Sequence, residues 1–188
     1  MATYLISDTH FGHDGIIELC KRPFANSREM DAAMVLEWNS VVRSDDTVIH
    51  LGDFAHHYPA DKLPKLFAAL NGRKHLIKGN HDGRATQALP WESQRDIAYA
   101  SIDSQNVVLC HYGMRQWPKI RKGALMLHGH SHGRLRGNTQ SCDIGVDVMG
   151  FAPLRLAQIK DYLATLPLMA DPEARNDIED LGGGGLKL

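Results

Sequence analysis

A chain of 188 residues, 43% hydrophobic and 23% charged, has the composition of one folded globular domain rather than of a disordered segment. Its formal net charge is −1, from 21 Lys+Arg against 22 Asp+Glu, which argues against a protein whose main task is to grip long nucleic acid. No apolar run approaches the roughly 20 residues that span a bilayer, and Cys20, Cys110 and Cys142 show no Cys-x-x-Cys spacing. No membrane span, disulfide framework or Cys-rich zinc site is therefore expected, and a reducing, cytoplasmic location is. Candidate ligands begin at Asp8, too near the start for a cleavable signal peptide.

In chain order, Thr3-Tyr4-Leu5-Ile6 reads as a short buried strand that delivers Asp8 and His10 to a loop. Met30, Met34, Trp38 and Val41 recur near helical spacing, so residues 28–43 are expected to form an amphipathic helix with Ser27 as N-cap. Residues 47–51 form the next strand, ending at Gly52-Asp53. Leu63, Leu66, Phe67 and Leu70 repeat at i, i+3, i+4 and i+7, a second helix closed by Asn71-Gly72.

His75-Leu76-Ile77 is a third strand running into Gly79-Asn80-His81-Asp82. Residues 97–102 and 106–110 read as strands joined by a tight turn, the second ending at His111. Residues 124–127 form a strand ending at Gly129-His130-Ser131-His132. A strand over 142–148 and a helix over 153–166, with Pro153 in its first turn, complete the pattern. Residues 1–168 are expected to form one domain and 169–188, with four consecutive glycines, a flexible C-terminal tail. Strand–helix alternation followed by consecutive strands predicts an α/β domain of mixed sheets covered by helices.

Chemistry in such sheets collects at the C-terminal ends of strands, and five polar clusters sit there. Asp8/His10 and His130/His132 are i, i+2 pairs, which on extended backbone turn both side chains to one side. Each pair can clasp one metal or send one ligand to each of two. Two carboxylates, four imidazoles and one amide suit Mn, Fe, Co, Ni or Zn better than Ca or Mg. Asp143 is a weaker sixth candidate and reads better as a strand residue near the site. His50, His75 and His128 read as packed residues, His56-His57 as exposed loop, and His13 as a residue that can line the pocket. Cys110 and Cys142 read as small buried hydrophobes.

The ordered pattern Asp-x-His, Gly-Asp, Gly-Asn-His-Asp, His, Gly-His-x-His resembles the calcineurin-like metallophosphoesterase superfamily over roughly residues 3–148. Arg22-Pro23-Phe24, Trp38-Asn39 and residues 111–117 are similar to its small bacterial and phage-type members. The resemblance implies a four-layer αββα sandwich with two divalent metals, manganese favoured, at one sheet edge. It implies Asp8, His10, Asp53 and His132 on the first metal and Asn80, His111 and His130 on the second, with Asp53 bridging. His81 is then the general acid or a phosphate ligand, steadied by Asp82. The implied reaction is hydrolysis of a small phosphate ester by a hydroxide bridging the metals.

Two metals, two carboxylates and one hydroxide sum to about +1, which favours a monoanionic diester over a dianionic monoester. Arg22 and Arg115, like Arg134 and Arg136, add positive charge if they face the pocket, and Arg22, Arg115 and His13 are candidate substrate contacts. Two departures matter. Phe54-Ala55-His56 follows Asp53 without the polar residue that some members carry, and no cap or DNA-binding domain follows the core. The alternatives are a phosphomonoesterase or phosphoprotein phosphatase, and a non-catalytic scaffold, which would be expected to lose ligands or His81.

Overall fold

The computed structural model describes residues 1–170; the expected tail lies, from residue 171, outside the described residues. β1 (Thr3–Ile6) is followed by α1 (Asp14–Cys20) and α2 (Ser27–Val41), then β2 (Thr47–His50), α3 (Leu63–Ala69) and β3 (Arg73–Ile77). A single turn, α4 (Arg84–Gln87), leads to β4 (Ser93–Arg95). The second half holds β5 (Ile97–Ile102), β6 (Gln105–Cys110), β7 (Leu125–His128) and β8 (Ser141–Asp143), then α5 (Val146–Met149), β9 (Leu154–Arg155) and α6 (Leu156–Leu163).

These strands make two mixed sheets, in the orders β4-β3-β2-β1-β9 and β5-β6-β7-β8. In the first, only β9 runs antiparallel; in the second, only the β5–β6 pair does. The expected α/β sandwich of two mixed sheets with flanking helices is present. One apolar cluster, including Leu5, Leu51, Leu109, Leu127 and Ile144, fills the space between the sheets. A second packs Met30, Met34 and Trp38 of α2 and Leu63, Leu66 and Phe67 of α3 onto the outer face of the first sheet. The outer face of the second sheet is covered by irregular chain instead, where Trp117 and Ile120 pack on Val108, Cys110 and Met126.

Register is what positions the site. Ile6 pairs with His50 and His50 with Leu76, so three parallel strands end at one level and release their loops side by side. Leu109 pairs with Leu127 in the other sheet, which brings residues 111 and 129–132 to the same edge.

The differences from expectation have local causes. Asn26, not Ser27, caps α2, its side chain accepting from Glu29 N at 3.0 Å, an interaction worth about 1 kcal/mol. Residues 142–148 do not continue as a strand: Gly145 N–H bonds Asp143 Oδ1 at 2.7 Å, and its carbonyl accepts from Val148 and Met149, which coils the chain into α5. Leu154-Arg155 pairs with β1, so the last helix starts at Leu156 rather than Pro153.

Asp31 on α2 ties this frame to the first ligand loop by accepting Gly12 N–H at 3.0 Å. Burial, opposed by that bond and reinforced by Asp14, raises its carboxyl to about 6. Between its ordinary value of 3.8 and about 6 only the folded state holds the proton. Its contribution to stability is therefore greatest below 3.8 and declines as pH rises through 6. Asp31→Asn keeps an oxygen for Gly12 and removes this decline. Denaturant titration should find it equal to wild type near pH 4 and more stable by about 1–2 kcal/mol near pH 7.5, a figure reduced for the group's partial exposure.

Candidate metal centre

The ligand loops are zipped to one another by backbone. Asp8 N bonds Gly52 O at 3.0 Å, His10 N bonds Asp53 O at 2.9 Å, and Phe11 N bonds Phe54 O at 2.9 Å. Asp82 braces the third loop against the second. Its two oxygens accept the N–H groups of Asp53, Phe54 and Gly79 at 2.8–2.9 Å. Sequence reasoning expected Asp82 to steady His81, but its carboxylate is occupied by backbone.

The ligand segments are not extended. Asp8, His10, Asp53, His130 and His132 all have left-handed backbone, with φ between 47° and 63°. They are five of the ten non-glycine residues with positive φ among the described residues, a concentration that marks backbone strain at a functional site. The two i, i+2 pairs, alike in backbone, are used differently. Asp8 and His10 stay together with His132, whereas His130 joins Asp53 and His111; within each group one ligand atom per residue lies within 4.8 Å of the others. Asn80 Oδ1 lies 3.2 Å from His111 Nε2, on the second group.

Three observations fit these residues to metal. His10 is 1% exposed, yet neither ring nitrogen has a hydrogen-bond partner, a buried polar cost that a coordinated cation removes. The donor set of imidazoles, carboxylates and one amide is that of transition metals. A Cβ on Gly52, Gly79 or Gly129 would run into His111, Asp53 or Asp8 respectively, so these glycines make room for the donors.

The charges agree. Burial pushes Asp8 up to about 7, against the pull of His111, and burial pushes His10 down to about 2. Burial also acts against the Asp53 anion, but the hydrogen bond and charge of His111 prevail and hold it well below the usual carboxylate range. The interior thus resists extra charge except where an opposite one faces it.

Other predicted residues fall into place unequally. His81 is half-buried, its ring centroid 5.3 Å from that of His10 and 4.3 Å from that of His56. His56 is not the exposed loop residue expected: it is half-buried and also lies 4.5 Å from His13, whereas His57 is exposed. Arg115 is exposed. Arg22 is buried, bonded to Asp147, Asp8 O and Thr9 O, and does not face the opening. His50 and His128 are fully packed, and Asp143 accepts from Ser131, Gly133 and Gly145 just behind the ligands. Sequence reasoning missed Asp147, which accepts from His132 Nδ1 at 2.7 Å. Its only local signal was an acidic residue two positions after Gly145.

The calcineurin-like phosphoesterase family matches residues 1–150, four-fifths of the chain, and the chain belongs to that family. An uncharacterized protein of the archaeon Methanocaldococcus jannaschii is 32% identical over 163 residues, covering 81% of this chain and 86% of that protein. The gene 66 protein of Mycobacterium phage L5 is 27% identical over 183 residues, covering 79% and 87%. Among solved structures, a protein of unknown function from Aquifex aeolicus superposes with a TM-score of 0.67 at 23% identity, covering 85% of this chain and 98% of its own. That likeness supports the fold. Among the described residues, no helix is long and apolar enough to cross a membrane.

Proposed function

We propose that this chain is a binuclear-metal phosphodiesterase acting on a small or nucleotide-like phosphate ester. The observation that supports it best is the position of Asp53. Its Oδ2 lies 3.5 Å from His10 Nε2 and 3.4 Å from His111 Nε2, between the two ligand groups. Divalent ions there, manganese by preference and iron, nickel, cobalt or zinc otherwise, would supply a water of lowered pKa and positive charge for the phosphoryl oxygens.

The remaining work belongs to the side chains. Asp8, His10 and His132 would hold one ion and Asn80, His111 and His130 the other, with Asp53 available to both. His81 is anchored through its backbone N–H to Asp53 Oδ1 at 2.8 Å, which leaves its imidazole free to protonate the departing oxygen. Beside it opens a cavity of about 140 Å³ lined by His56, His57, Tyr58, Leu63 and Thr86, a place for the leaving group. His13 packs its ring against those of both His10 and His56, behind this opening's His56 wall.

The diester preference rests on charge. The net of about +1 suits a monoanion, and Arg22, a cation against the backbone of Asp8 and Thr9, is consumed by Asp147. The free cysteines fit work in a reducing cytoplasm. With manganese at matched concentration, kcat/KM should be higher for bis-p-nitrophenyl phosphate than for p-nitrophenyl phosphate. The opposite order would make the protein a phosphomonoesterase, and metal occupancy without turnover of any ester would make it a scaffold.

A further inference from the structure

Arg22 and Asp147 stand 125 residues apart in the chain and meet in the interior, their side chains 0% and 5% exposed. The contact is a two-pronged fork: Arg22 Nε donates to Asp147 Oδ1 and NH2 to Oδ2, both at 2.8 Å. The same guanidinium has donors left over. NH2 also reaches Asp8 O at 2.8 Å and NH1 reaches Thr9 O at 2.9 Å. Asp147 Oδ2 in turn accepts from His132 Nδ1 at 2.7 Å, which directs the other ring nitrogen toward Asp8 and His10.

We infer that Arg22 and Asp147 are positioning residues that clasp one metal position, Asp8/His10/His132, and leave the other, Asp53/Asn80/His111/His130, untouched. This rests on the two-metal reading above. A single guanidinium holds two parts of one ligand set: directly, the carbonyls of Asp8 and Thr9 on either side of the turn into His10, and through Asp147, the ring orientation of His132. Left-handed Asp8 and His10 are conformations that persist only when their surroundings over-determine them, and the carbonyl contacts supply that restraint. Apart from His130 N–H, which Asp8 accepts at 3.0–3.1 Å, the second set has separate supports: His111 Nδ1 lies 2.7 Å from Leu51 O, and Asp82 fastens the loop that carries Asn80.

Distance alone would let Cys20, His132 and Asp147 hold a cation themselves. Charge decides against it. The Arg22 guanidinium already takes both Asp147 oxygens, and a second cation there would meet it across a low-dielectric interior. Asp147 therefore orients a ligand and is not one.

The test is metal binding by the full chain, stripped of metal and titrated with Mn2+ by calorimetry and electron paramagnetic resonance. Wild type should take two equivalents and show a spin-coupled pair. In Asp147→Asn, affinity at one position should fall about 10–100-fold while the other is unchanged, giving one tight equivalent and the spectrum of an isolated ion. Because that substitution leaves Arg22 unpaired in the interior, the double variant Arg22→Met/Asp147→Asn, which removes both charges, should fold and show the same selective loss. A folded variant that binds both ions as tightly as wild type, or loses both equally, overturns the clasp and leaves the two-metal reading standing. A wild-type protein that binds fewer than two ions overturns both.

Discussion

Asp53→Asn should empty both metal positions and lower turnover by roughly 10³-fold or more, the factor that several kcal/mol of lost charge stabilisation represents. The expectation follows from where the carboxylate sits. Asp53 Oδ2 is within 3.5 Å of an imidazole nitrogen from each ligand group, and its other oxygen holds His81 N–H at 2.8 Å. No other acidic residue of the centre has this double relation: Asp8 belongs to one group. Asn is the right replacement because residue 53 has φ 57°, a left-handed conformation that Asn tolerates and Ala strains. The amide oxygen keeps the acceptor for His81 N–H, while the oxygen between the two groups becomes an NH2, which removes the negative charge and the shared donor atom. Metal analysis after dialysis against a fixed free concentration of Mn2+ separates the outcomes. Loss of both ions is expected, loss of one would confine Asp53 to a single position, and retention of two would end its bridging assignment.

The clustering of the candidate ligands was legible because each ends a recognisable apolar strand, and parallel register then brings those ends together. Asp8, Asp53 and Asn80 follow β1, β2 and β3, whose pairing aligns Ile6, His50 and Leu76. What was not legible depends on contacts between distant segments. Arg22 looked like a free cation that a phosphate might use, and nothing near it in the chain marks Asp147 as its partner. His56 looked like exposed loop because its neighbours, His13 and His81, arrive from two other loops. The strands β4 and β9, three and two residues long, carry too little pattern to announce themselves and exist by pairing with β3 and β1. The i, i+2 argument relied on extended backbone, which these residues do not adopt. His130 and His132 are left-handed rather than extended and fall in different groups, whereas Asp8 and His10, left-handed too, share one.

That backbone strain also bears on how the site works. The five left-handed candidate ligands are held by inter-loop hydrogen bonds, the Asp82 brace and the Arg22 contacts, so on the proposed reading the donors are positioned before an ion binds. Preorganisation of this kind spares the reaction a reorganisation cost at each turnover. Asp31 belongs to the same frame, since it pins Gly12, two residues after His10.

His81→Ala tests the chemistry rather than the scaffold. The imidazole is in neither ligand group, and the anchor to Asp53 is a backbone N–H that Ala retains, so metal content should equal that of wild type. Removing a positioned proton donor should lower kcat about 10²–10⁴-fold. The loss should depend on the leaving group. A p-nitrophenolate departs without needing a proton, so its diester should lose least, whereas an ester of an ordinary alcohol should lose most. His56, 4.3 Å from His81 by ring centroid, is the one nearby imidazole placed to substitute for it, and His56→Ala in the same background checks for that rescue. A uniform loss across leaving groups would make His81 a phosphate ligand. Full activity of the double variant on an unactivated ester would remove His81 from the reaction altogether.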